Sequence, residues 1–372
     1  MLLIDNEDVR NVLHARDCIS IQEQAFADIV SGRATHRPRI DVYAPAERPD
    51  GYFRWSSVDG VTVAPGPYFA TRIKADIAYW PKAADGTARE QKFCVRPGLY
   101  CGLVLLFSTI DGRPLAIIND GELQHMRVGA GAALGVKYLA RANASTLGIL
   151  GSGGMARAYV QAISAVRNLT HVKVYSPTRS NRETFAREMA AELNIPVEPV
   201  GSAKSAVSGS DIVATCTDSM TPTLEADWLE PGMHVTNVNP TEIDQACRAR
   251  FDVAFRQGEA GMSVGPSPTL RVMTETGLSP VAYVAGTEEE IQRLPAPSAT
   301  RTGFGGAFPH IADLITGKKE GRVNDEQISF YHNFGNQGLQ FACVGGLVYE
   351  RAVARQRGRQ LPVEWFLEDV RN

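Results

Sequence analysis

The residues best suited by type and spacing to do chemistry are the glycines of T-L-G-I-L-G-S-G-G-M-A, at residues 146–156. The first five residues form an apolar run typical of a buried parallel strand, and a helical pattern begins at Met155. Gly151 permits a tight exit from the strand, and Gly153 lets backbone amides approach an anion without an intervening Cβ. The N–H groups that open the helix then attract a phosphate. The stretch therefore predicts a dinucleotide pyrophosphate site.

Further residues belong to the same predicted site because they follow neighbouring strands. Ala156 is the third small position, which lets the helix pack closely on the strand. A later strand-like segment, residues 211–217, ends in small polar residues where ligands of open α/β sheets bind. The predicted cofactor contacts are Gly151, Gly153, Gly154, Met155, Ala156, Ser176, Thr178, Arg179, Thr215, Cys216 and Thr217.

The choice of nicotinamide cofactor depends on the end of the second strand of this unit. An NAD site carries an acidic residue there, about 20 residues after the glycines, to bind the ribose hydroxyls. This chain reads V-Y-S-P-T-R-S-N-R, so Ser176 takes the acidic position and Arg179 and Arg182 follow. Serine with guanidinium neighbours suits a 2′-phosphate, which a carboxylate would repel. NADP(H) is favoured, and NAD(H) remains open.

Composition narrows the class of protein. A chain of 372 residues suggests about two domains. Its 44 % hydrophobic content and net charge of −3 give no reason to expect nucleic acid or a membrane as partner. Six scattered cysteines show neither metal-ligand spacing nor a disulfide framework, and no secretory signal is visible. We therefore predict a cytoplasmic protein without a metal that acts on a small molecule.

The amino-terminal part predicts a β-rich half with charged residues on its strands. Residues 68–79 alternate so that Arg72, Lys74 and Asp76 share one face. If the apolar residues between them pack inward, the charges face water, which is the more common arrangement. Arg39 lies in a Pro- and Arg-rich segment, where such residues are usually solvated, so spacing alone gives it a small chance of contacting substrate.

A helix is predicted from Asp120 to Ala140, rich in small residues and leading directly into the strand before the glycines. Arg127 lies in its first half. It could be a solvated helix residue, and the neighbouring His125 is more often structural than catalytic. Arginine is nevertheless the natural bidentate partner of a carboxylate, so Arg127 is a candidate for binding an acidic substrate group.

After the glycines, an alternation of strands and helices continues through residues 251–255, which predicts a doubly wound parallel sheet. Residues 258–304 show little periodicity and are expected to form loops and short helices. Residues 311–355 are expected to form a helix, a turn and a long helix.

The chain resembles the ornithine cyclodeaminase/mu-crystallin family. The resemblance covers most of the chain and is carried by L-Q-H-M-R-V-G-A-G-A-A-L-G-V-K-Y-L-A-R, by the glycine stretch that follows, and by D-L-I-T-G-K-K-E-G-R with L-V-Y-E-R-A near the end. It implies a Rossmann domain, residues 141–304, inserted into a discontinuous α+β substrate and dimerisation domain, residues 1–140 and 305–372. It also implies a homodimer and hydride chemistry at an amino-acid or imine carbon.

The resemblance also implies roles for particular residues. Arg127 matches the family arginine that holds the substrate carboxylate, and Arg39 resembles another carboxylate contact. Either Arg72 or Lys74 matches the family's substrate lysine; Lys74 is preferred as the group that assists proton transfer.

One departure bears on the reaction. Where cyclodeaminases carry G-x-D-x-P-G-K, with an Asp that engages the side-chain amine, this chain reads V-N-P-T-E-I-D, and the nearest acids are Glu242 and Asp244. We expect one of these to engage the substrate amine. The predicted function is an NAD(P)-dependent oxidoreductase acting on a small amino acid or imine. The alternatives are an ornithine cyclodeaminase that uses NAD catalytically and releases ammonia, and a non-catalytic NADPH-binding protein.

Overall fold

A computed structural model describes residues 1–82, 89–258, 271–276, 279–295 and 308–369. The elements before the glycine turn are β1 (Leu2–Ile4), α1 (Asn6–Val12), α2 (Ala15–Val30), β2 (Thr35–Pro45), β3 (Gly51–Thr62), β4 (Tyr68–Tyr79), β5 (Gln91–Phe93), β6 (Cys101–Ser108), β7 (Pro114–Asn119) and α3 (Asp120–Leu139). The predicted strand at residues 68–79 and the predicted helix after Asn119 are both confirmed.

The nucleotide-binding part follows directly. Its elements are β8 (Thr146–Leu150), α4 (Gly154–Ser164), β9 (His171–Tyr175), α5 (Arg179–Leu193), β10 (Val197–Pro199), α6 (Ala203–Val207), β11 (Ile212–Thr215), β12 (His234–Asn237), α7 (Gln245–Arg248) and β13 (Val253–Arg256). The remaining elements are β14 (Val272–Thr276), β15 (Ser279–Val284), α8 (Glu288–Ile291), α9 (Ile311–Ile315), β16 (Ser329–His332), α10 (Gln337–Ala354) and β17 (Arg359–Gln360). Short 3-10 helices lie at Ala226–Trp228, Pro240–Glu242 and Val363–Phe366.

The first sheet has the strand order β14-β15-β2-β3-β4-β6-β7-β1-β17, with β5 also paired to β4. On β4 the charged residues Arg72, Lys74 and Asp76 lie on the buried face, and the apolar residues between them are only half-buried on the other face. This reverses the arrangement that we expected from alternation. The charges can be buried because neighbouring strands and later helices supply partners for them, which the local pattern does not reveal.

Helix α10 covers the buried face of this sheet at very short range. Gly60 on β3 faces Gly338 in the first turn of α10, and a Cβ added to Gly338 would lie 1.8 Å from the backbone oxygen of Asp59. Further along the helix, Gly345 faces β6 with ordinary van der Waals spacing, since its Cβ would lie 3.6 Å from Val104. The start of α10 is therefore held against β3 by contact between backbones.

The second sheet is parallel throughout and has the order β10-β9-β8-β11-β12-β16-β13. The chain runs outwards in one direction from β8 and then in the other from β11, so the strand order reverses between them. Ligands of such sheets bind outside the carboxyl ends of the strands at this reversal. The predicted Rossmann-type fold class is confirmed.

Two strand groups cross the domain boundaries that we predicted. β14 and β15 lie within residues 141–304 but join the first sheet, where β15 pairs in parallel with β2. The expectation of loops and short helices for residues 258–304 therefore missed a hairpin. β16 lies within residues 305–372 but joins the parallel sheet between β12 and β13. Both groups pair with strands distant in the sequence, which local periodicity does not reveal.

We expect Gly338→Ala to lower the free energy of unfolding by about 3 kcal/mol, because the new methyl group overlaps the backbone of β3 and the two elements must separate. The matched control is Gly345→Ala in the same helix, which should be neutral or stabilising by up to about 1 kcal/mol through helix propensity. Urea-induced unfolding of both variants measures the difference. Equal stabilities would show that the contact between α10 and β3 is not close-packed.

Candidate functional site

The glycine turn lies at the carboxyl end of β8, beside the end of β11. Gly151 has a φ of +114°, which favours glycine, and a Cβ there would lie 2.2 Å from the carbonyl oxygen of Cys216. A Cβ on Gly153 would meet no atom within 4 Å among the described residues. Gly153 is the N-cap of α4, so the helix opens towards this free space. The turn therefore has the room and the exposed amides that a pyrophosphate requires.

The other predicted cofactor residues surround this turn. Met155 is half-buried in the first turn of α4, and Ala156 is fully buried against the sheet. Thr215 and Cys216 are buried at the end of β11, and Thr217 is half-buried. The structure thus brings the residues from the first and fourth strands of the unit together at the reversal of strand order.

The end of β9 also reaches the glycine turn. The Ser152 hydroxyl donates to Ser176 Oγ at 2.9 Å, and Ser176 Oγ lies 3.4 Å from the Thr178 carbonyl. Arg182 donates to the Ser176 carbonyl at 2.9 Å. The Arg179 side chain is 80 % exposed and is bound at 2.7 Å to Glu183. A guanidinium held by an exposed pair of this kind can change partner at little cost.

A group of charged residues occupies the buried face of the first sheet, and we call it the strand cluster: Arg39, Asp41, Arg54, Lys74, Asp76, Glu90 and Lys92. Arg54 donates to both carboxylate oxygens of Asp76, at 2.9 and 3.1 Å, and to Glu90 at 3.0 Å. Lys74 Nζ forms an ion pair with Asp76 Oδ2. Burial, the guanidinium of Arg54 and the ammonium of Lys92 lower the pKa of Lys74 well below its usual range, while Asp76 opposes them.

Two of the predicted substrate arginines already hold carboxylates. Arg39 donates to Asp41 at 2.7 and 2.9 Å. Arg72 binds Asp120 at the start of α3, with Nε 2.6 Å from Oδ2. Both arginine side chains are only 13 % exposed. They therefore lie within the site, but each guanidinium is already neutralised by an aspartate.

Arg127 differs from these two arginines. Its guanidinium donates to Gln340 Oε1 at 2.8 Å and to Gln124 Oε1 at 2.9 Å, and it stacks over the Phe341 ring with 5.0 Å to the centroid. No carboxylate lies within ion-pair distance of it in the described part of the chain. Burial lowers the pKa of Arg127 to about 9, and the nearby guanidinium of Arg72 adds to this effect.

Three buried glutamines hold Arg127 in place. The Gln340 amide donates to Gln22 Oε1 at 2.7 Å and to the Arg127 carbonyl at 3.3 Å. Gln22 donates to the same carbonyl at 3.0 Å, and Gln257 donates to Gln340 at 3.3 Å. These amides fix the orientation of the side chain but bring no negative charge. The guanidinium is therefore a preorganised cation without a counterion among the described residues.

Helix α3 connects this arginine with the glycine turn. On one face of α3, a Cβ added to Gly129 would lie 2.4 Å from the Ala158 carbonyl of α4, and the His125 ring contacts Gly154. Arg127 lies on the side that faces α10 and Phe341. α3 thus packs against α4 beside the nucleotide turn and presents Arg127 towards α10.

Glu242 does not join the strand cluster. It is fully buried, and its carboxylate accepts hydrogen bonds from the backbone and hydroxyl of Thr217, from the hydroxyl of Thr215 and from the amides of Val238 and Asn239, at 2.6–3.2 Å. Burial raises the pKa of Glu242, and these hydrogen bonds oppose the rise. The geometry leaves this carboxylate no free acceptor site for a substrate amine, contrary to our expectation.

Asp244 accepts the amide of Cys247 at 2.8 Å and caps α7. Its carboxylate is therefore already used at a helix start. Neither acid of V-N-P-T-E-I-D reproduces the contact expected of the cyclodeaminase aspartate.

Sequence reasoning missed Arg54, Glu90 and Gln340. Arg54 alternates with Tyr52, Ser56 and Val58 on β3, and all four are buried. This alternation could have indicated a buried face of β3. It lies in the Pro- and Arg-rich segment, residues 33–66, whose charged residues we expected to be solvated. Gln340 gave no local signal, because its importance comes from its contact with Arg127.

Some classes of site receive no support from the structure. In the described ranges, no group of three or more His, Cys, Asp or Glu residues is arranged to hold a metal ion. All six cysteines are free thiols. Among the described helices, none is both long enough and apolar enough to cross a bilayer.

We expect Glu242→Gln to lower the free energy of unfolding by about 2–3 kcal/mol, because either orientation of the amide sets an NH₂ group against a backbone N–H. The exposed Glu225→Gln nearby is the control and should have no measurable effect. Denaturant titration of both variants tests this. An unchanged stability for Glu242→Gln would mean that the carboxylate does not hold the ends of β11 and β12.

With this geometry established, the chain can be compared with known proteins. A profile of the ornithine cyclodeaminase/mu-crystallin family matches residues 82–356. The Delta(1)-pyrroline-2-carboxylate reductase of Bacillus cereus is 28 % identical over 264 residues, which cover 70 % of this chain and 74 % of that protein.

Solved structures agree in fold. The Thermococcus litoralis Delta(1)-pyrroline-2-carboxylate reductase, in complex with NADH and L-proline, has a TM-score of 0.74 at 22 % identity and covers 97 % of this chain and 100 % of its own. An archaeal alanine dehydrogenase dimer with bound NAD has a TM-score of 0.71 at 21 % identity, covering 97 % and 99 %. The resemblance predicted from the sequence is confirmed: the chain belongs to the ornithine cyclodeaminase/mu-crystallin family.

Proposed function

We propose that this protein transfers a hydride between NAD(P) and the α carbon of a small amino acid or the corresponding imine. The observation that carries the proposal is the buried guanidinium of Arg127, which has only neutral hydrogen-bond partners among the described residues. Such a cation is stabilised by an anionic ligand, and its planar fork matches a carboxylate. We therefore assign Arg127 to the carboxylate of the substrate.

Family membership places the chain among NAD(P)-dependent enzymes, as the sequence predicted. The related reductase of Bacillus cereus is named for an imine substrate that carries a carboxylate. Bound at the glycine turn, the cofactor would accept or supply the hydride. The open space at Gly153 and the amides of α4 fit its pyrophosphate.

Lys74 is our candidate for proton transfer. Oxidation of an amine removes a hydride from the α carbon and a proton from the nitrogen, so a neutral amine nearby can take that proton. In the reverse reaction the protonated Lys74 returns it. Because its pKa is lowered, Lys74 gives up its proton more readily than an exposed lysine does. We prefer Lys74 to Arg72 as the family's substrate lysine, since an arginine keeps its proton and a lysine with a lowered pKa can release it.

The remaining predicted site residues take supporting roles in this proposal. Arg72 lies near Arg127 and keeps Asp120 in place, and Arg39 keeps Asp41 in place. Glu242 holds the ends of β11 and β12 together. We assign no proton transfer to Glu242, whose oxygens accept backbone and hydroxyl donors, or to Asp244, which caps α7.

Two other functions are less well supported. A cyclodeaminase needs an acid for the side-chain amine, and Glu242 and Asp244 are committed to the backbone. A protein that only binds NADPH would not need the buried Arg127 guanidinium or the altered pKa of Lys74.

For the cofactor we propose a preference for NADP(H). The second strand of the unit ends in Ser176 rather than an acidic residue, and Arg179 extends into solvent next to it. A 2′-phosphate would gain a guanidinium partner here without displacing a buried group. The two solved relatives described above hold NADH and NAD, so the preference concerns this chain alone.

We also propose that the chain is a homodimer joined through the outer face of the first sheet. Phe53 and Val42 are 38 % and 39 % exposed there, beside the half-buried Phe69, Ile73 and Trp55. An apolar face of this kind marks an interaction surface, and the archaeal alanine dehydrogenase is a dimer. A cytoplasmic location stays a prediction from the sequence.

We expect Arg127→Met to lower kcat/KM by about 100-fold, because the substrate carboxylate loses charge-assisted hydrogen bonds worth about 3 kcal/mol. The affinity for NADPH, measured by fluorescence titration, should stay unchanged. The control is Arg10→Met, which removes an exposed arginine bound to Glu122. Full activity in Arg127→Met would remove the basis of the proposed function.

The reaction class is tested by screening amino acids and cyclic imines with both cofactors while recording absorbance at 340 nm and ammonia. We expect stoichiometric oxidation or reduction of the nicotinamide. Ammonia release from ornithine or lysine without net change in absorbance would instead identify a cyclodeaminase. Binding of NADPH without turnover of any amino acid or imine would support the non-catalytic alternative.

We expect Ser176→Asp to raise the KM for NADPH by about tenfold or more, because a carboxylate at this position repels the 2′-phosphate. The KM for NADH should fall or stay the same. Ser205→Asp, an exposed change in the same part of the chain, controls for added charge. A lower KM for NADH than for NADPH in the unmodified protein would refute the proposed preference.

The proposed dimer is tested by light scattering on Phe53→Asp. We expect the mass to fall to that of one chain, because a charge would be buried without a partner at the interface. Ile110→Asp, in an exposed turn away from this face, should keep the dimer mass. A monomeric unmodified protein would contradict the proposal.

A further inference from the structure

Arg54 occupies an unusual position among the charged residues of this protein. It is one of the largest side chains that are completely buried, and it lies on β3 with its guanidinium directed at two carboxylates. The pairing register sets Arg54 opposite Asp76 on β4 and sets Lys74 opposite Ser56, the next residue on the same face of β3. Arg54 is thus next to the lysine that we propose for proton transfer without being its ion-pair partner.

The hydrogen bonds of Arg54 account for the position of Asp76. Two nitrogens of the guanidinium bind the two oxygens of Asp76, and a third binds Glu90 at 3.0 Å. Bidentate pairing fixes both the distance and the plane of the carboxylate. Since Lys74 is bound to Oδ2 of the same carboxylate, its ammonium is held in turn.

The charges of the strand cluster balance when one of its two lysines is neutral. Its basic members are Arg39, Arg54, Lys74 and Lys92, and its acidic members are Asp41, Asp76 and Glu90. The arginines keep their protons in proteins, and Lys92 is partly exposed, with 32 % of its side chain accessible. Lys74 is therefore the one cation of the cluster that can lose its charge at moderate cost.

We propose that Arg54 is a positioning residue for the reaction: by clamping Asp76 and Glu90 it orients the Lys74 side chain and places a fixed positive charge beside it. This inference rests on the proposed function, which assigns proton transfer to Lys74. Arg54 touches neither substrate nor cofactor in this account. It acts through Asp76 and through its own charge.

The electrostatic part of the inference follows from the groups that face Lys74. Arg39 and Asp41 face it from β2, Arg54 from β3, Asp76 and Arg72 from its own strand, and Glu90 and Lys92 from the segment that ends in β5. Burial has the largest effect on Lys74, and Arg54 is the charged neighbour that lowers its pKa most, followed by Lys92. Removing Arg54 also frees Asp76 and Glu90 to stabilise the lysine charge. Both changes raise the pKa of Lys74.

The test measures the protonation of Lys74 without relying on turnover. The full-length protein, saturated with NADPH, is labelled with a trace of acetic anhydride at a series of pH values, and the extent of acetylation at Lys74 is read by peptide mass spectrometry. In Arg54→Met we expect the midpoint for Lys74 to move up by about one pH unit or more, a tenfold change in its proton affinity. Arg351→Met removes an arginine bound to Asp17 elsewhere in the same part of the fold, and should leave the midpoint unchanged.

Two milder variants keep the test decisive if Arg54→Met does not fold. Lys92→Met removes a partly exposed cation and should raise the midpoint for Lys74 by a smaller amount.

Arg54→Lys keeps the charge but loses the bidentate clamp. We therefore expect a nearly unchanged midpoint, a fall in kcat of at least tenfold and a smaller change in KM. An unchanged midpoint in both Arg54→Met and Lys92→Met would overturn the electrostatic role. Full kcat in Arg54→Lys would overturn the positioning role.

The pH profile separates this inference from the proposed function. If Lys74 accepts the proton, the alkaline rise of kcat for amine oxidation must move with the labelling midpoint in Arg54→Met. A shifted midpoint with an unshifted kinetic profile would show that Arg54 controls Lys74 but that Lys74 does not transfer the proton. That result would refute the proposed role of Lys74 in proton transfer and therefore the proposed role of Arg54 in the reaction.

Discussion

The site depends on a guanidinium buried without a counterion. Taking an ion out of water costs several kcal/mol even after the protein relaxes around it, and neutral amides offset only part of this cost. Arg127 is held by Gln124 and Gln340, and no acidic side chain in the described residues lies within ion-pair distance of it. Burial of Arg127 therefore lowers the stability of the fold, and an anionic ligand can offset this cost. In the function that we propose, the same burial favours a carboxylate over a neutral ligand.

This arrangement requires helices and strands to approach more closely than side chains normally allow. A Cβ on Gly131 would overlap the side chains of Gln257 and Asn333, and one on Gly135 would overlap the Tyr331 ring. The small residues of α3 thus let β16 and α10 pack against it, and α10 brings Gln340 to the Arg127 guanidinium. Replacing the glycines by better helix formers would strengthen the helix and separate these elements. The glycines give α3 a low helix propensity, and the geometry of the site requires them.

The sequence predicted those parts of the fold and site whose pattern lies entirely within one segment. The glycine turn, α3 and the strand at residues 68–79 are defined by local pattern, and Arg127 stood out by residue type. The burial of Lys74 and Asp76 could not be predicted in this way, because it depends on Arg54 from another strand and on α10 from the far end of the chain. Glu242 was misjudged for a related reason: its backbone donors come from the ends of two strands that are separate in sequence.

The place of β16 in the parallel sheet has a consequence for how the protein is made. β12 and β13 leave the ribosome well before β16, yet in the finished sheet they do not pair with each other, and β16 lies between them. β12 and β13 must therefore stay apart, or separate again, until residues 329–332 have been synthesised. If β12 and β13 paired first, they would have to separate again, so we expect the late insertion of β16, next to the sheet edge, to be slower than formation of the glycine turn.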